Sequence, residues 1–304
     1  MKQSLLKYAL LPLLLLSGCQ QGMKADIVVT MFPQEDISKA IVGDKLSVHS
    51  ILPLGVDVHD FEASSRDIVS LNDARLVIHT SPIIDTWFVE DQIQDENTTV
   101  IDLSTYYTPD ETLPSNEQDH EDDFVHYWVD PLVIVDLTLV ILEEIVALDP
   151  INETFYTANA QDYVEDLIDT HGTFMDYLTA KSFLDSTIYF AGHNAMGLFG
   201  LRHQLDIHPL FSDFKPDEDL SSGQLIEFVT AIKETGTHFL FVEAMVNPKA
   251  ALTIKDELSK EDYALTLLEL HSFHNRSTED AANNVTYLDI YKRNIANIKV
   301  ALEG

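Results

Sequence analysis

The chain has 304 residues, a single cysteine and 45% hydrophobic residues, which is ample for a large core. Its 51 acidic residues against 18 basic ones give a formal net charge of −33, a surface that repels phosphate backbones and makes nucleic acid a poor partner. One cysteine rules out an internal disulfide, so stability must come from packing.

In chain order, the opening stretch MKQSLLKYALLPLLLLSGCQQ carries Lys2 and Lys7, then an apolar run, then small residues. The run is too short to cross a bilayer, which takes about 20 residues, and its layout is that of an export signal. Leu16-Ser17-Gly18-Cys19 resembles the bacterial lipobox, so residues 1–18 are expected to be removed and Cys19 to carry the lipid, including palmitate, that tethers an extracytoplasmic protein to the cell membrane.

Apolar runs of strand type follow at 26–30, 46–52, 75–80 and 98–103, with helical periodicity at 34–42 and 64–74 between them. Strands alternating with helices at this spacing predict a parallel α/β unit. After a polar, acidic stretch at 108–123, helical patterns run from Pro131 to about Lys181, restarted by Pro150. Strand runs then return at 186–192, 205–211, 237–243 and 264–270, with helices near 195–204, 220–235, 247–258 and about 279–302. The expected architecture is two α/β lobes with mainly parallel sheets: an N-terminal lobe over 19–149, a connecting helix at 150–182 and a C-terminal lobe over 183–304. No internal sequence repeat stands out.

Ligands of open α/β sheets bind beyond the carboxyl ends of the strands. Four of the 12 histidines sit in loops after strands or before helices: His59 in PLGVDVHDFE, His126 in FVHYWVDP just before the helix that Pro131 begins, His193 in YFAGHNAMGLF and His271 in LLELHSFHNRS, with His274 three residues on. None lies on the apolar face of a helix. Neutral imidazole is the commonest ligand of Zn²⁺, which prefers four tetrahedral donors in a closed site. No HExxH pair is present, so the zincin motif is absent. Asp57, Asp60, Glu62 and Asp130 stand near these histidines as candidate acceptors for the ring N–H groups.

From about Asp26 to Leu302 the chain resembles the substrate-binding proteins of bacterial metal ABC importers, the zinc/manganese group called cluster A-I. The stretches that carry the likeness include VVTMFPQEDISKAIVGDK, LPLGVDVHDFEASSRDIVSLNDARLVI, VHYWVDP, GHNAMGLFGLR, SSGQLIEFVTAIKETGTHFLFVE and NPKAALTI, in that order. The resemblance implies two lobes with the metal in the cleft between them, a rigid linking helix, little movement on binding and no enzymatic activity. It implies His59, His126 and His193 as metal ligands. A histidine in the third place is similar to the zinc branch, whereas the manganese branch tends to a carboxylate there.

The chain also departs from the pattern. Val58 and Ala63 replace prolines around the first ligand, and HTSPIIDTW stands where Asn-Gly and a later Leu-Glu pair are usual. The fourth ligand in many members is an Asp after the last strand; here LELHSFHNRS makes His271 the expected fourth ligand, with His274 and Glu269 as alternatives. The acidic segment 117–123, with its single His120, reads as a solvated loop rather than an ion-capturing one. The implied function is capture of Zn²⁺, with Mn²⁺ as the alternative cargo, and delivery to a cognate ABC permease and its ATPase by a membrane-tethered monomer. A metal-dependent hydrolase and a surface adhesin are the readings from other classes.

Overall fold

The computed structural model describes residues 24–110, 113, 125–211 and 220–304. The export signal, Cys19 and the acidic segment 117–123 lie outside the described residues. The first four strands, β1 (Ile27–Val29), β2 (Val48–Ser50), β3 (Leu76–His79) and β4 (Thr99–Asp102), form a parallel sheet in the order β2-β1-β3-β4. The second four, β5 (Thr187–His193), β6 (Asp206–Phe211), β7 (Phe239–Glu243) and β8 (Thr266–Leu270), form another in the order β6-β5-β7-β8. The two orders are the same topology, although the sequence shows no repeat. Sheet burial needs only apolar runs between helices, so unlike sequences reach one topology.

Helices α1 (Phe32–Val42), α2 (Ser65–Asn72) and α3 (Pro131–Leu148) belong to the first unit. Asp130 caps α3 by accepting from Leu132 N at 2.8 Å, and Pro131 occupies the first helical position, where its missing N–H costs nothing. Helix α4 (Glu153–Lys181) has 29 residues, about 44 Å at 1.5 Å each. Its buried stripe, Tyr156, Ala160, Leu167, Phe174 and Leu178, recurs at helical spacing. That length lets one helix pack on α1 and α3 and also reach the C-terminal helix.

The second unit adds α5 (Gly197–His203), α6 (Ser222–Thr235), α7 (Lys249–Ser259), α8 (Thr278–Ala282) and α9 (Tyr287–Glu303). The single helix expected over 279–302 is therefore two. Asn284 takes a left-handed φ of 52° and Thr286 starts a new helix, exchanging hydrogen bonds with Asp289 in a capping box.

The segment from His271 to Ser277 is sewn to the first unit. Asn275 Nδ2 donates to Pro53 O (2.7 Å) and Val56 O (2.8 Å), Gly55 N donates to Arg276 O (2.9 Å), and Trp128 Nε1 donates to Ser272 O (3.0 Å). Arg276 pairs with Glu35 at 2.9 Å, with both side chains largely covered. Asp36 accepts from Tyr163 of α4 and from the first backbone N–H of α9, both at 3.0 Å. These bonds make the seam between the sheets a fixed one. Asn275→Ala leaves two carbonyls of the 53–56 turn without their donor. At about 1 kcal/mol each, the expected loss is about 2 kcal/mol, read as a fall of roughly 4–8 °C in the melting temperature.

Candidate metal centre

His59 lies on the single 3-10 turn Val58–Asp60 after β2, where Asp57 Oδ1 accepts from its backbone N–H at 2.8 Å. His126 begins the turn Tyr127–Val129 that leads into α3. Tyr127 Oη donates to Thr80 O at 2.7 Å, and Trp128 is held by Ser272, so both residues following His126 are pinned from opposite units. The Thr80 end of β3 is itself held in a buried polar knot, with Asp85 Oδ2 accepting from Thr80 N (2.6 Å) and Thr30 Oγ1 (3.0 Å).

His193 ends β5 at an irregularity. Phe190 pairs with Pro209 but His193 with Phe211, so β5 carries one extra residue there, and such a bulge re-aims the side chain that follows. The preceding Gly192 is required by crowding. A Cβ on it would stand 2.6 Å from the Phe190 ring and 2.9 Å from Glu243 Oε2.

The structure brings His59, His126 and His193 together, with their donor atoms all within 4.8 Å of one another. His126 Nε2 is 3.3 Å from His193 Nε2 and 3.5 Å from His59 Nε2. The rings meet edge to face at centroid distances of 5.1–5.5 Å. His126 and His193 are buried and His59 is partly so.

His193 Nδ1 donates to Glu243 Oε2 at 2.9 Å, at the end of β7. The other carboxylate oxygen accepts from Ser272 Oγ at 3.0 Å, and Ser272 Oγ lies 2.8 Å from His274 Nδ1. Glu243 and Ser272 were not among the residues singled out in the sequence. The available signal for Glu243 was a charged residue closing an otherwise apolar strand run, FLFVE, beyond a strand's carboxyl end. For Ser272 there was none.

Of the four carboxylates expected to steady the rings, Asp57 caps the His59 turn and Asp130 caps α3 while pairing with Arg202 Nε at 2.7 Å. Asp60 and Glu62 are exposed. Neither His271, the expected fourth ligand, nor His274 is among the three gathered donors. His271 Nδ1 accepts from Phe273 N at 2.8 Å, its backbone exchanges two hydrogen bonds with Asn294 of α9, and the charges that act on it are those of His274, Arg293 and Asp280. His274 acts electrostatically on His59 and His126 as well as on His271, and it feels His193, Asp57 and Glu243. Between His271 and His274, Phe273 takes a left-handed φ of 63°. A bulky residue there is strained by about 1–3 kcal/mol. Complete burial and stacking on Tyr287 at 4.4 Å hold it.

Burial pushes the imidazoles down. His59 falls to about 4, through burial and then the nearby His193 and His274 against the pull of Asp57. His126 falls well below the ordinary range, by burial and its histidine neighbours. His193 goes the other way: burial lowers it, but the charge and hydrogen bond of Glu243 outweigh burial and raise it. His271 and His203, both buried, are held down at about 3.

The family described as "Zinc-uptake complex component A periplasmic" (ZnuA) matches residues 27–301. The chain is 25% identical over 299 residues to the high-affinity zinc uptake system protein ZnuA of Bacillus subtilis (strain 168), covering 94% of this chain and 90% of that protein. It is 26% identical over 275 residues to the manganese-binding lipoprotein MntA of Halalkalibacterium halodurans, covering 90% and 87%. Its fold matches the crystal structure of the metal-dependent lipoprotein YcdH from Bacillus subtilis with a TM-score of 0.74 at 24% identity, over 90% of this chain and 98% of that one.

The buried histidines set the acid sensitivity. A histidine depressed from 6.5 to about 3, as at His203 and His271, gives stability that is present above 6.5 and lost as the pH falls through that window. Asp36 and Asp85, raised by burial from 3.8 to about 6, act oppositely and offset part of the loss below pH 6. The depressed histidines outnumber them, so the melting temperature of the metal-free protein is expected to fall steadily from pH 7 to pH 5 in calorimetry.

Proposed function

The chain belongs to the ZnuA family of metal ABC transporter substrate-binding proteins, and from that premise we propose that its cargo is Zn²⁺, held by His59, His126, His193 and His274. The family is one of solute-binding proteins and not of enzymes, which leaves the hydrolase reading without support. Relatives named for zinc and for manganese both occur, so the choice of metal rests on this chain's own donors.

The carrying observation is the spacing of the nitrogens. An ion holding four nitrogens tetrahedrally at about 2.0–2.1 Å keeps neighbouring nitrogens about 3.3–3.4 Å apart. The Nε2 pairs here stand 3.3 and 3.5 Å apart. Glu243, the carboxylate bonded to His193, has both oxygens engaged, one by His193 and one by Ser272. The donor set is therefore all nitrogen, which suits zinc, whereas Mn²⁺ favours oxygen-rich octahedral sites. Depressed basicity at His59 and His126 keeps those rings neutral at neutral pH, the state a metal ligand needs.

In this reading the fourth ligand is His274 rather than His271, because His274 is joined to His193 through Ser272 and Glu243, whereas His271 is tied to Asn294 of α9. A lipid on Cys19 would hold the carrier at the outer face of the membrane, where a permease and its ATPase take the ion. Among the described residues no helix is long and apolar enough to cross a membrane.

Chelator-stripped protein is expected to take up one Zn²⁺ per chain, with a large rise in melting temperature, and to bind Mn²⁺ far more weakly by calorimetry. Four ligands together supply about 10–16 kcal/mol in small zinc sites, or roughly 3 kcal/mol each. His193→Ala and His274→Ala should each weaken zinc by about 100-fold or more. His271→Ala should lower stability while leaving zinc affinity in place. A preference for Mn²⁺, or an indifferent His274 variant beside a sensitive His271 one, would overturn this assignment.

A further inference from the structure

We propose that Glu243 and Ser272 form a positioning relay that sets the ring tautomers of two ligands, His193 and His274, and so points a bare Nε2 of each at the metal. The proposal rests on the four-histidine zinc reading above and concerns how that site is prepared before the ion arrives.

A neutral imidazole carries one N–H, and which nitrogen bears it is decided by what the other atoms around the ring can accept or donate. A carboxylate only accepts. Glu243 Oε2, 2.9 Å from His193 Nδ1, therefore fixes the proton on Nδ1 and leaves His193 Nε2 with its lone pair. Glu243 Oε1 takes the hydroxyl hydrogen of Ser272 at 3.0 Å. With its only hydrogen spent there, Ser272 Oγ can only accept from His274 Nδ1 at 2.8 Å. His274 then has its proton on Nδ1 as well, and its Nε2 is bare. One charge thus orders two rings, the second at a remove of one hydroxyl.

The relay is built into the fold. Glu243, Ser272, His193 and His274 are all buried, and Glu243 and His193 end the adjacent strands β7 and β5. Gly192 is what lets the carboxylate come so close to that backbone. Ser272 is fixed in turn by the Trp128 indole on its carbonyl. A carboxylate could have served the ion directly, but here its oxygens are engaged in orienting nitrogen donors.

The relay makes a distinctive demand on an isosteric change. In Glu243→Gln one oxygen remains to accept and the amide NH₂ can only donate. If the oxygen faces His193, the NH₂ donates to Ser272, whose hydroxyl hydrogen turns to His274 Nδ1 and moves that ring's proton to Nε2. If the amide is flipped, His193 is the ring that loses its bare Nε2. Either way one ligand is blocked. Ser272→Ala removes the acceptor of His274 alone and leaves His193 untouched.

The test uses the full-length chain with ¹⁵N-labelled histidine, stripped of metal. At a pH alkaline enough for both rings to be neutral, long-range ¹H–¹⁵N spectra should show His193 and His274 as Nδ1–H tautomers in the wild type. One of the two should switch to Nε2–H in Glu243→Gln, and His274 alone should lose its Nδ1–H preference in Ser272→Ala. Zinc affinity, by competition with a chromophoric chelator, should fall by about 10- to 100-fold in each variant. A variant that merely loosens the structure would not redistribute tautomers selectively. If Glu243→Gln does not fold, Ser272→Ala decides the matter alone. Unchanged tautomers with affinity held would overturn the relay while leaving the carrier reading intact. A wild type that binds no stoichiometric zinc would overturn that reading instead.

Discussion

Three imidazole nitrogens held within 4.8 Å of one another, two of the pairs at 3.3 and 3.5 Å, at a seam between two sheets, are the constraint around which the described structure is arranged. Without a cation these contacts need a ring hydrogen shared between nitrogens, and further protonation is disfavoured at His59 and His126, where burial and the neighbouring rings depress basicity. A cation would engage the nitrogens' lone pairs instead. The fold must therefore supply enough rigidity to keep the nitrogens in place. It does so with bonds that cross the seam: the Asn275 amide on the 53–56 turn, the Trp128 indole on Ser272, Arg276 on Glu35, and Asp36 between α4 and α9.

The two sheets meet this demand at corresponding places. In each, the second strand in chain order lies on one side of the first and the third on the other, so a crevice opens at the carboxyl ends of the first and third strands. In the second sheet that crevice holds His193 and Glu243. In the first it holds the knot of Thr30, Thr80 and Asp85, which fixes the carbonyl that Tyr127 reaches and thereby steadies His126. One crevice presents a donor directly, while the other braces the loop that presents one. His59 comes from a loop beyond β2, and the asparagine and glycine bonds to the 271–277 segment, together with the burial of Val58 in the core, keep that loop near the seam.

Most of the fold was legible because it is written in local periodicity. All eight strands fall within a few residues of their expected places, and helices with strong caps, such as the one opened by Asp130-Pro131, start where expected. The one break in that pattern has an identifiable cause. The last helix is interrupted at one left-handed asparagine, a conformation that no pattern of apolar residues encodes. Phe273, between His271 and His274, is an aromatic residue in a backbone region it rarely adopts, packed on Tyr287. Tertiary packing holds that dihedral, so spacing alone says little about how the two flanking histidines are presented. His59, His126 and His193 were legible for the opposite reason: each follows a strand or precedes a helix, where the chain's course is set by the sheet. Glu243 and Ser272 are buried, and although Glu243 closes the FLFVE run, nothing in the sequence says that it meets Ser272 and His193, which depends on strand pairing and on the turn after β8.

The net charge of −33 and the donor set act at different ranges. A field of that sign raises the local concentration of any cation, with no preference among metals, and it is screened within about 10 Å at ordinary salt. Selection has to happen where the field is replaced by contact. On the reading proposed above, that contact is made by four neutral nitrogens, with a single carboxylate one hydrogen bond behind them. The buried charge on loading is then the ion's +2 against the −1 of Glu243, so the residual charge is +1 rather than +2. Placing the carboxylate behind the ligands thus lowers the charge that must be desolvated while keeping oxygen out of the first sphere. On that reading a chain with 51 acidic residues uses none of them to touch the ion, and so keeps attraction and discrimination chemically separate.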